Sequence, residues 1–169
     1  MTTKNPNFSE NMLSVEEARD NILNMMSVLD TVYLPLSDCL GHVLSKNISS
    51  IIDVPPWNNS AMDGFAVIAN NTQGSSDSTP VKLKVIDSVY AGDMPNLKVS
   101  PNTAIRIMTG APIPDGANAV VPFEQTNEIQ QQLNPKQLNT IDILKPVKEN
   151  DYIRFRGEDI KSGDSIFTK

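Results

Sequence analysis

The stretch Asp53-Val-Pro-Pro-Trp-Asn-Asn-Ser-Ala-Met-Asp-Gly-Phe-Ala-Val67 runs from a stiffened segment into a predicted strand. Its two prolines fix φ at about −65° and disfavour helical geometry in the residue before each of them. Gly64 permits a positive φ or a close backbone approach directly after the Asp63 carboxylate, and the residues that follow have the apolar character of a strand. The sequence therefore predicts an acid presented at the end of a strand. The alternative is an ordinary Asp-Gly turn, because turns are where this dipeptide most often occurs.

The length and composition of the chain limit the classes of protein to which it can belong. With 169 residues it can form one domain with a core or two small domains. Hydrophobic residues make up 39% of the chain and aromatic residues only 5%, so we expect an aliphatic core. The net charge of −6 argues against a nucleic-acid partner. The single cysteine, Cys39, rules out an internal disulfide framework and fits a reducing compartment.

Neither a membrane segment nor a secretory signal is predicted, so we expect a cytoplasmic protein. No segment approaches the ~20 apolar residues of a membrane span, and residues 1–11 lack the basic-then-apolar pattern of a signal peptide. His42 is the only histidine, and a zinc site built from Cys and His is therefore excluded. No nucleophile with a neighbouring base and no glycine-rich phosphate loop with lysine occur in the sequence.

Two helices are predicted near the N-terminus. Ser14 and Glu17 have the spacing of a capping box, and the apolar positions that follow predict a helix from Val15 to about Leu29 with one packed face. A second helix is predicted to start after Ser37 and Asp38 and to run through Leu44, with Cys39 buried on its apolar side.

From Asn47 onward the periodicity is that of strands, separated by loops rich in Gly, Pro, Asn and Ser. Several short strands at close spacing favour a small antiparallel barrel or sandwich. The predicted fold class is α+β, mostly β, with a discontinuous first domain (residues 1–50 plus 146–169) interrupted by an inserted β-rich domain (51–145). The candidate strands are Asn47 to Ser50, Phe65 to Ala69, Val81 to Val89, Thr103 to Met108, Ala119 to Pro122, Glu124 to Glu128, Thr140 to Ile143 and Ser165 to Thr168.

Three carboxylates stand in settings that suit a hard cation, namely Asp63 before Gly64 and the adjacent Glu158 and Asp159. Mg²⁺ takes oxygen ligands, commonly one or two carboxylates together with substrate oxygens. Neighbouring acids on a strand point to opposite faces, so we expect only one of Glu158 and Asp159 to serve the same site as Asp63. A solvated turn is the alternative for the Gly-Glu-Asp sequence.

An anion site is predicted where Thr109 and Gly110 follow a strand. The threonine hydroxyl and free backbone N–H groups beside a glycine can hold an anion, although an ordinary turn also ends a strand in this way. Arg106, Arg154 and Arg156 supply the local positive charge that an acidic chain needs to bind an oxyanion or a phosphate. Taken alone, Arg106 has the character of a salt-bridged surface residue.

Three segments together resemble one known family. The string around Asn59-Ser-Ala-Met-Asp-Gly-Phe-Ala66 resembles the signature of the molybdopterin molybdenumtransferases, called MoeA in bacteria and the E domain of gephyrin in animals. Arg106-Ile-Met-Thr-Gly-Ala-Pro-Ile-Pro114 and Arg154-Phe-Arg-Gly-Glu-Asp-Ile160 are similar to two further segments of that family, in the same order. The resemblance implies a discontinuous first domain interrupted by a β-rich second domain. It also implies that a cofactor-binding α/β domain and a smaller β domain follow in the longer protein.

The resemblance further implies an activity and a set of site residues. Family members take adenylylated molybdopterin and molybdate as substrates, release AMP in a Mg²⁺-dependent step, and leave molybdenum on the dithiolene sulfurs. On the matching positions this implies catalytic roles for Asp63, Thr109 and Asp159, with Asp63 and Asp159 also holding the divalent cation. The residues expected to contact the cofactor are Ser60, Gly110, Arg154 and Arg156.

The partners implied by the resemblance are a second copy of the full-length protein, a molybdopterin adenylyltransferase and molybdoenzymes. In the family, the site lies in a cleft between two subunits, so this chain would hold half a site and be inactive alone. A rival hypothesis is a dimerisation and scaffold module of gephyrin type, without turnover of its own. A second alternative is a small β-barrel that binds some other anion.

Overall fold

The computed structural model describes residues 12–128 and 139–169, which fall into two compact units. The first unit comprises the residues up to Ser45 together with Lys169, and the second runs from Lys46 to Thr168. The predicted loop from Gln130 to Gln137 lies outside the described residues. No helix within the described ranges is long and apolar enough to cross a membrane.

The first unit contains one α-helix, α1, which spans Val15–Asn24. Its N-terminus has the predicted capping box, in which the Ser14 hydroxyl accepts a bond from the Glu17 N–H and the Glu17 carboxylate accepts one from the Ser14 N–H. The helix is shorter than predicted, because the N–H groups of Met25 and Met26 bond to carbonyls three residues back and tighten its last turn. Apolar side chains that were expected to pack, among them Val15, Ile22 and Met25, are exposed in the structure.

The predicted second helix is wrong. In its place the chain forms a single 3₁₀ turn over Leu36–Asp38. Gly41 then adopts a φ of 87°, which no right-handed helix accommodates. Cys39 is exposed, so the prediction that it would be buried is also wrong.

Nine strands lie in the described part of the second unit. A five-stranded sheet has the order β6-β3-β5-β4-β7, and two small two-stranded sheets pair β1 with β9 and β2 with β8. Every pairing is antiparallel except β4 with β5, which run parallel. This arrangement confirms the predicted α+β, mostly β, fold class. The strands are β1 (Ile48–Ser49), β2 (Asn59–Ser60), β3 (Gly64–Val67), β4 (Val81–Val89), β5 (Thr103–Ile107), β6 (Ala119–Pro122), β7 (Thr140–Ile143), β8 (Ile153–Arg154) and β9 (Ser165–Phe167).

Most predicted strands are present, and the exceptions have a local cause. The predicted strand from Glu124 to Glu128 is wrong, because Phe123–Gln125 forms a 3₁₀ turn that the Thr126 hydroxyl closes by donating to the Phe123 carbonyl. The two-residue strands β2 and β8 were not predicted. A strand of two residues is too short to give an alternating pattern.

The five-stranded sheet buries side chains on both of its faces. Phe65 and Val67 of β3 belong to one apolar cluster, whereas Ala66 between them belongs to another cluster with Ile105 and Ile107. All four residues of β3 are buried, as expected for an interior strand that lies between β6 and β5 and is covered on both faces. The core is aliphatic, as predicted. Of the largest fully buried side chains among the described residues, Phe65 is aromatic and the others are not.

The segment that follows β8 runs back along the start of the unit. The Val54 N–H donates to the Ile160 carbonyl at 2.7 Å, and the Gly157 N–H donates to the Pro55 carbonyl at 2.9 Å. Residues 146–168 therefore belong to the same compact unit as the β-rich segment. The division into a first domain of residues 1–50 plus 146–169 and an inserted domain of residues 51–145 stays a prediction.

Candidate functional site

An acid and a hydroxyl meet where β3 begins and β5 ends. These strands are antiparallel, with Gly64 opposite Ile107, so the residue before β3 lies beside the turn that follows β5. Thr109 donates to Asp63 Oδ1 twice, from its backbone N–H and from its hydroxyl, each at 2.7 Å. The two segments that carry the predicted catalytic residues Asp63 and Thr109 are therefore joined directly.

The surroundings of Asp63 favour its ionised form. The backbone N–H and then the hydroxyl of Thr109 hold the pKa of the Asp63 carboxyl below its ordinary value of 3.8, with a smaller contribution from the positive charge of Arg106 and some opposition from partial burial. Both bonds from Thr109 use Oδ1, and the described residues form no hydrogen bond with Oδ2. A half-buried carboxylate is thus charged at neutral pH and keeps one oxygen for a further ligand.

The turn after Thr109 is bound to strand β2. The Gly110 N–H donates to the Ser60 carbonyl at 2.9 Å, and the Ser60 N–H donates to the Ala111 carbonyl at 3.0 Å. Gly110 has a φ of 83°, a left-handed conformation that favours glycine. The Ser60 hydroxyl donates to the Met62 carbonyl, and Ser60 is only 1% exposed. In this structure Ser60 therefore shapes the turn that carries Asp63.

The second group of predicted residues lies in the turn after β8. The Arg154 guanidinium donates to Asp159 Oδ2, and Glu158 accepts a bond from the Phe155 N–H at 2.8 Å. Residues 156–159 form a turn and not a strand, so the expectation that Glu158 and Asp159 point to opposite strand faces is wrong. The Gly157 N–H is bound to the Pro55 carbonyl, which fixes the turn against the start of the unit.

Arg156 is held by a different acid. Its Nε donates to Asp53 Oδ2, while the Ser162 N–H donates to Asp53 Oδ1 at 2.8 Å. The bond from Ser162 and then that from Arg156 hold the pKa of the Asp53 carboxyl below its ordinary value of 3.8. The Arg156 backbone N–H also donates to the side-chain oxygen of Asn58 at 2.9 Å. Arg154 and Arg156 are thus engaged by two separate carboxylates.

Strand β2 lies between these groups. Asn59 is paired with Arg154 and Ser60 with Ile153, while Ser60 is also bound to the turn at Gly110. The structure therefore brings the three segments into one neighbourhood. Among the described residues, no side-chain contact joins Asp63 to Asp159.

The described residues contain no group of three or more His, Cys, Asp or Glu side chains that could hold a metal ion by themselves. Asp63 nonetheless fits a hard cation, because it is ionised and has a carboxylate oxygen that its neighbours leave unbonded. One such carboxylate is enough for Mg²⁺ when water and substrate oxygens complete the coordination. Asp159 differs from Asp63 because its Oδ2 is paired with the Arg154 guanidinium, whose positive charge opposes a cation beside it.

A cleft of about 510 Å³ opens beside Arg156. Its apolar lining includes Trp57, Met94 and Leu97, and its charged lining consists of Lys98, Arg156 and the acidic Asp115. The Asn58 carbonyl accepts a bond from the Ile113 N–H at 3.0 Å, which ties together two of its walls.

Sequence reasoning placed Arg106 wrongly and gave Asp53 no role. Arg106 is 6% exposed, so it is salt-bridged as predicted but lies inside the unit and not on the surface. The signal was its position within the apolar strand Thr103–Ile107. Asp53 offered no such signal, since its partners Arg156 and Ser162 lie more than 100 residues further along the chain.

The fold and the strand-end residues define a β-rich module with an ionised acid held by a threonine, next to a turn that carries two arginines. Residues 13–169 match the family model described as the MoeA N-terminal region, domains I and II, and the chain therefore belongs to this family.

Curated relatives and a solved structure agree with this assignment. A protein from Staphylococcus aureus strain N315, named molybdopterin molybdenumtransferase, is 38% identical over 159 residues, which is 94% of this chain and 36% of that protein. A protein of the same name from Staphylococcus epidermidis strain ATCC 12228 is 38% identical over 157 residues, or 93% of this chain and 36% of that protein. The crystal structure of the molybdopterin biosynthesis MoeA protein from Pyrococcus horikoshii OT3 aligns with a TM-score of 0.73 and 35% identity, covering 83% of this chain and 35% of that one.

The chain spans about a third of the length of these relatives, with 36% of each curated protein covered. The match thus corresponds to domains I and II of the family, as the description of the family model states.

Proposed function

We propose that this chain is the N-terminal part of a molybdenumtransferase that inserts molybdenum from molybdate into adenylylated molybdopterin and releases AMP. Support comes from the relatives named molybdopterin molybdenumtransferase, which match over more than nine-tenths of this chain. The observation that carries the proposal is the Asp63–Thr109 pair. It places an ionised carboxylate, with one oxygen that the described residues leave unbonded, where β3 begins and β5 ends.

In this proposal Asp63 Oδ2 binds a divalent cation such as Mg²⁺, which when bound neutralises negative charge on the substrates. Thr109 orients the carboxylate, because both of its bonds hold Oδ1 and leave Oδ2 without a bond from the described residues. The turn offers the anionic substrate no free backbone donor at Thr109, Gly110 or Ala111. Their N–H groups already donate to Asp63 Oδ1 and to the Ser60 and Met108 carbonyls, so the predicted anion site made of free N–H groups is not formed here. The contribution of these residues is electrostatic positioning and not covalent catalysis.

Arg154 and Arg156 are proposed to neutralise oxyanion or phosphate groups of the substrates. The Arg154 side chain is 43% exposed and the Arg156 side chain is 67% exposed, so an anion can approach both. Both are already paired with a carboxylate, and a substrate anion would therefore compete with Asp159 and Asp53 for them. Guanidinium groups suit this exchange because they bind carboxylate and phosphate oxygens with the same fork of N–H donors.

The remaining parts of the proposed site belong to the longer protein. We propose that the parent protein is a cytoplasmic homodimer and that this chain alone does not turn over substrate. An adenylyltransferase would supply the adenylylated substrate, and molybdoenzymes would receive the product.

The test is AMP release from adenylylated molybdopterin by the full-length parent protein in the presence of molybdate and Mg²⁺. Asp63→Asn keeps the size of the side chain but removes its charge, and we expect turnover to fall by about 100-fold or more. Asp77→Asn is the matched control, because Asp77 is an exposed acid in a loop of the same unit, and it should leave turnover unchanged. Unchanged turnover in Asp63→Asn, at equal thermal stability, would contradict the proposal and favour a scaffold module.

A further inference from the structure

Arg106 is a buried cation that contacts the strand ends next to the Asp63–Thr109 pair. It lies on β5 and is 6% exposed. A charge removed from water is strongly disfavoured unless it is paired and hydrogen-bonded, so its contacts define what the residue does. Its neighbours on the strand, Ile105 and Ile107, are fully buried as well, so Arg106 must find its partners within the unit.

The guanidinium of Arg106 binds the backbone of two strands at once. Its Nη1 donates to the Gly64 carbonyl of β3 and to the Ile107 carbonyl of β5, each at 2.9 Å. Asp63 is the residue immediately before Gly64, and Thr109 is two residues beyond Ile107. The Arg106 guanidinium therefore links β3 to β5 at the residue that follows Asp63 and at the residue two positions before Thr109. We call this pair of bonds the Arg106 clamp.

A second set of contacts fixes the orientation of the guanidinium itself. Arg106 Nε donates to Glu128 Oε1 at 3.1 Å, and the two side chains are only 7% and 10% exposed. The centroids of the Phe65 and Phe123 rings lie 5.2 and 5.9 Å from the guanidinium carbon. Glu128 is itself held, because its N–H donates to the Thr126 hydroxyl.

We propose that Arg106 is a positioning residue of the Asp63–Thr109 pair, and that Glu128 and the two phenylalanines keep its guanidinium in the plane that reaches both carbonyls. The expected effect of Arg106 on turnover rests on the proposed function. The contacts of Arg106 with the two strands do not, because they are a property of this chain. Lysine cannot replace Arg106, because one ammonium at the end of a flexible stem does not offer a planar fork to two carbonyls and a carboxylate.

The test is amide hydrogen exchange, measured by NMR on the 169-residue chain, for the Thr109 N–H that binds Asp63. In Arg106→Lys we expect the protection of this amide to fall by about tenfold, the size expected for the loss of one hydrogen bond to a charged group. The control amide is that of Val99, which donates to the Asp115 carbonyl at 2.8 Å elsewhere in the unit. It should keep its protection within about twofold.

A residue that only stabilised the fold would change both amides together, so an equal fall at Thr109 and Val99 would overturn the inference, as would unchanged protection at Thr109. Should Arg106→Lys fail to fold, Glu128→Gln carries the same measurement. It keeps the size of the side chain but weakens the ion pair, and we expect a smaller, equally selective loss at Thr109.

Turnover by the full-length parent separates this inference from the proposed function. If both are correct, Arg106→Lys lowers kcat and leaves KM for adenylylated molybdopterin nearly unchanged, because it disturbs the geometry and removes no substrate contact. Selective loss of Thr109 protection with unaltered turnover in Asp63→Asn would refute the proposed function and leave the clamp intact. Loss of turnover in Asp63→Asn with an unaltered Thr109 amide in Arg106→Lys would refute the clamp.

Discussion

Two regions of the β-rich unit each hold a carboxylate in place, but they do so with different partners. Asp63 is held by the neutral N–H and hydroxyl of Thr109, whereas Asp159 is held by the guanidinium of Arg154. Asp53 is held by the Arg156 guanidinium together with the Ser162 N–H. Neutral donors orient an acid and leave its charge available to a cation. Arginine partners cancel the charge, so the same residue type serves a different purpose a short distance away.

The two regions also differ in how firmly they are supported. The Asp63–Thr109 pair stands at the ends of the buried strands β3 and β5, with the Arg106 clamp next to it. The turn after β8 is a surface loop in which Asp159 is 48% exposed. We therefore expect substitutions in the first region to have larger effects than equivalent substitutions in the second.

The largest effect on stability is expected for Gly64→Ala, which attacks the support of the first region. A Cβ on Gly64 would lie 2.0 Å from the Val121 carbonyl oxygen, and because this is backbone of β6, the strand itself would have to move. We expect a loss of about 3 kcal/mol in the free energy of unfolding, measured by urea denaturation of the chain.

Gly110→Ala is the matched control for this prediction. The nearest atom to a Cβ on residue 110 would be the Cβ of Ala91, at 3.9 Å. Only the left-handed φ of 83° therefore opposes the change. A loss of about 1 kcal/mol is expected. Equal losses in the two variants would contradict the close packing of β3 against β6.

A smaller effect is expected for Thr109→Val, which removes the hydroxyl bond to Asp63 but keeps the backbone bond. Because the pKa of Asp63 is lower in the folded chain, its bonds stabilise the fold fully above about pH 4 and lose this effect as the pH falls through the folded-state pKa. We expect Thr109→Val to be about 1 kcal/mol less stable than wild type at pH 7.

The pH dependence sharpens this prediction. The difference between Thr109→Val and wild type should shrink as the chain is acidified below the ordinary Asp pKa of 3.8. Thr109→Ser keeps the hydroxyl and should follow wild type throughout. A difference that stays constant down to pH 2 would mean that the hydroxyl stabilises the chain without acting on the Asp63 carboxylate.

The smallest effect is expected in the second region. Asp159→Asn breaks the ion pair with Arg154 on an exposed turn, and surface pairs of this kind contribute about 0–1 kcal/mol. Because such pairs are screened by salt, the effect should decrease further when the ionic strength is raised in thermal denaturation experiments. A loss of several kcal/mol would place Asp159 among the supports of the fold.

The sequence predicted strands where alternation or apolar runs were long enough to be recognised, and the bounds of β4, β6 and β7 agree with the structure. The sequence could not predict β2 and β8, since their pairing depends on contacts between Asn59 and Arg154 that are distant along the chain. The predicted second helix failed because a local capping pattern was not followed by residues that could continue the helix past Gly41.

The candidate site was predictable in its residues and not in their pairing. Asp63, Thr109 and Asp159 could be selected from motifs, but nothing local indicated that Thr109 would bond to Asp63 while Asp159 would bond to Arg154. The position of Arg106 was the hardest to predict. A charged residue in a strand is ordinarily exposed. Arg106 is buried because it pairs with the distant Glu128 and donates to the Gly64 and Ile107 carbonyls.

If Asp63 and Thr109 act as one unit, a double-mutant cycle in the full-length parent will reveal it. The measurement is kcat/KM for molybdate-dependent AMP release by wild type, Asp63→Asn, Thr109→Val and the double variant. Residues that act as a unit give non-additive losses. We predict that adding Thr109→Val to Asp63→Asn lowers the rate little further. Losses that multiply would mean that the two residues work independently, which would contradict the account.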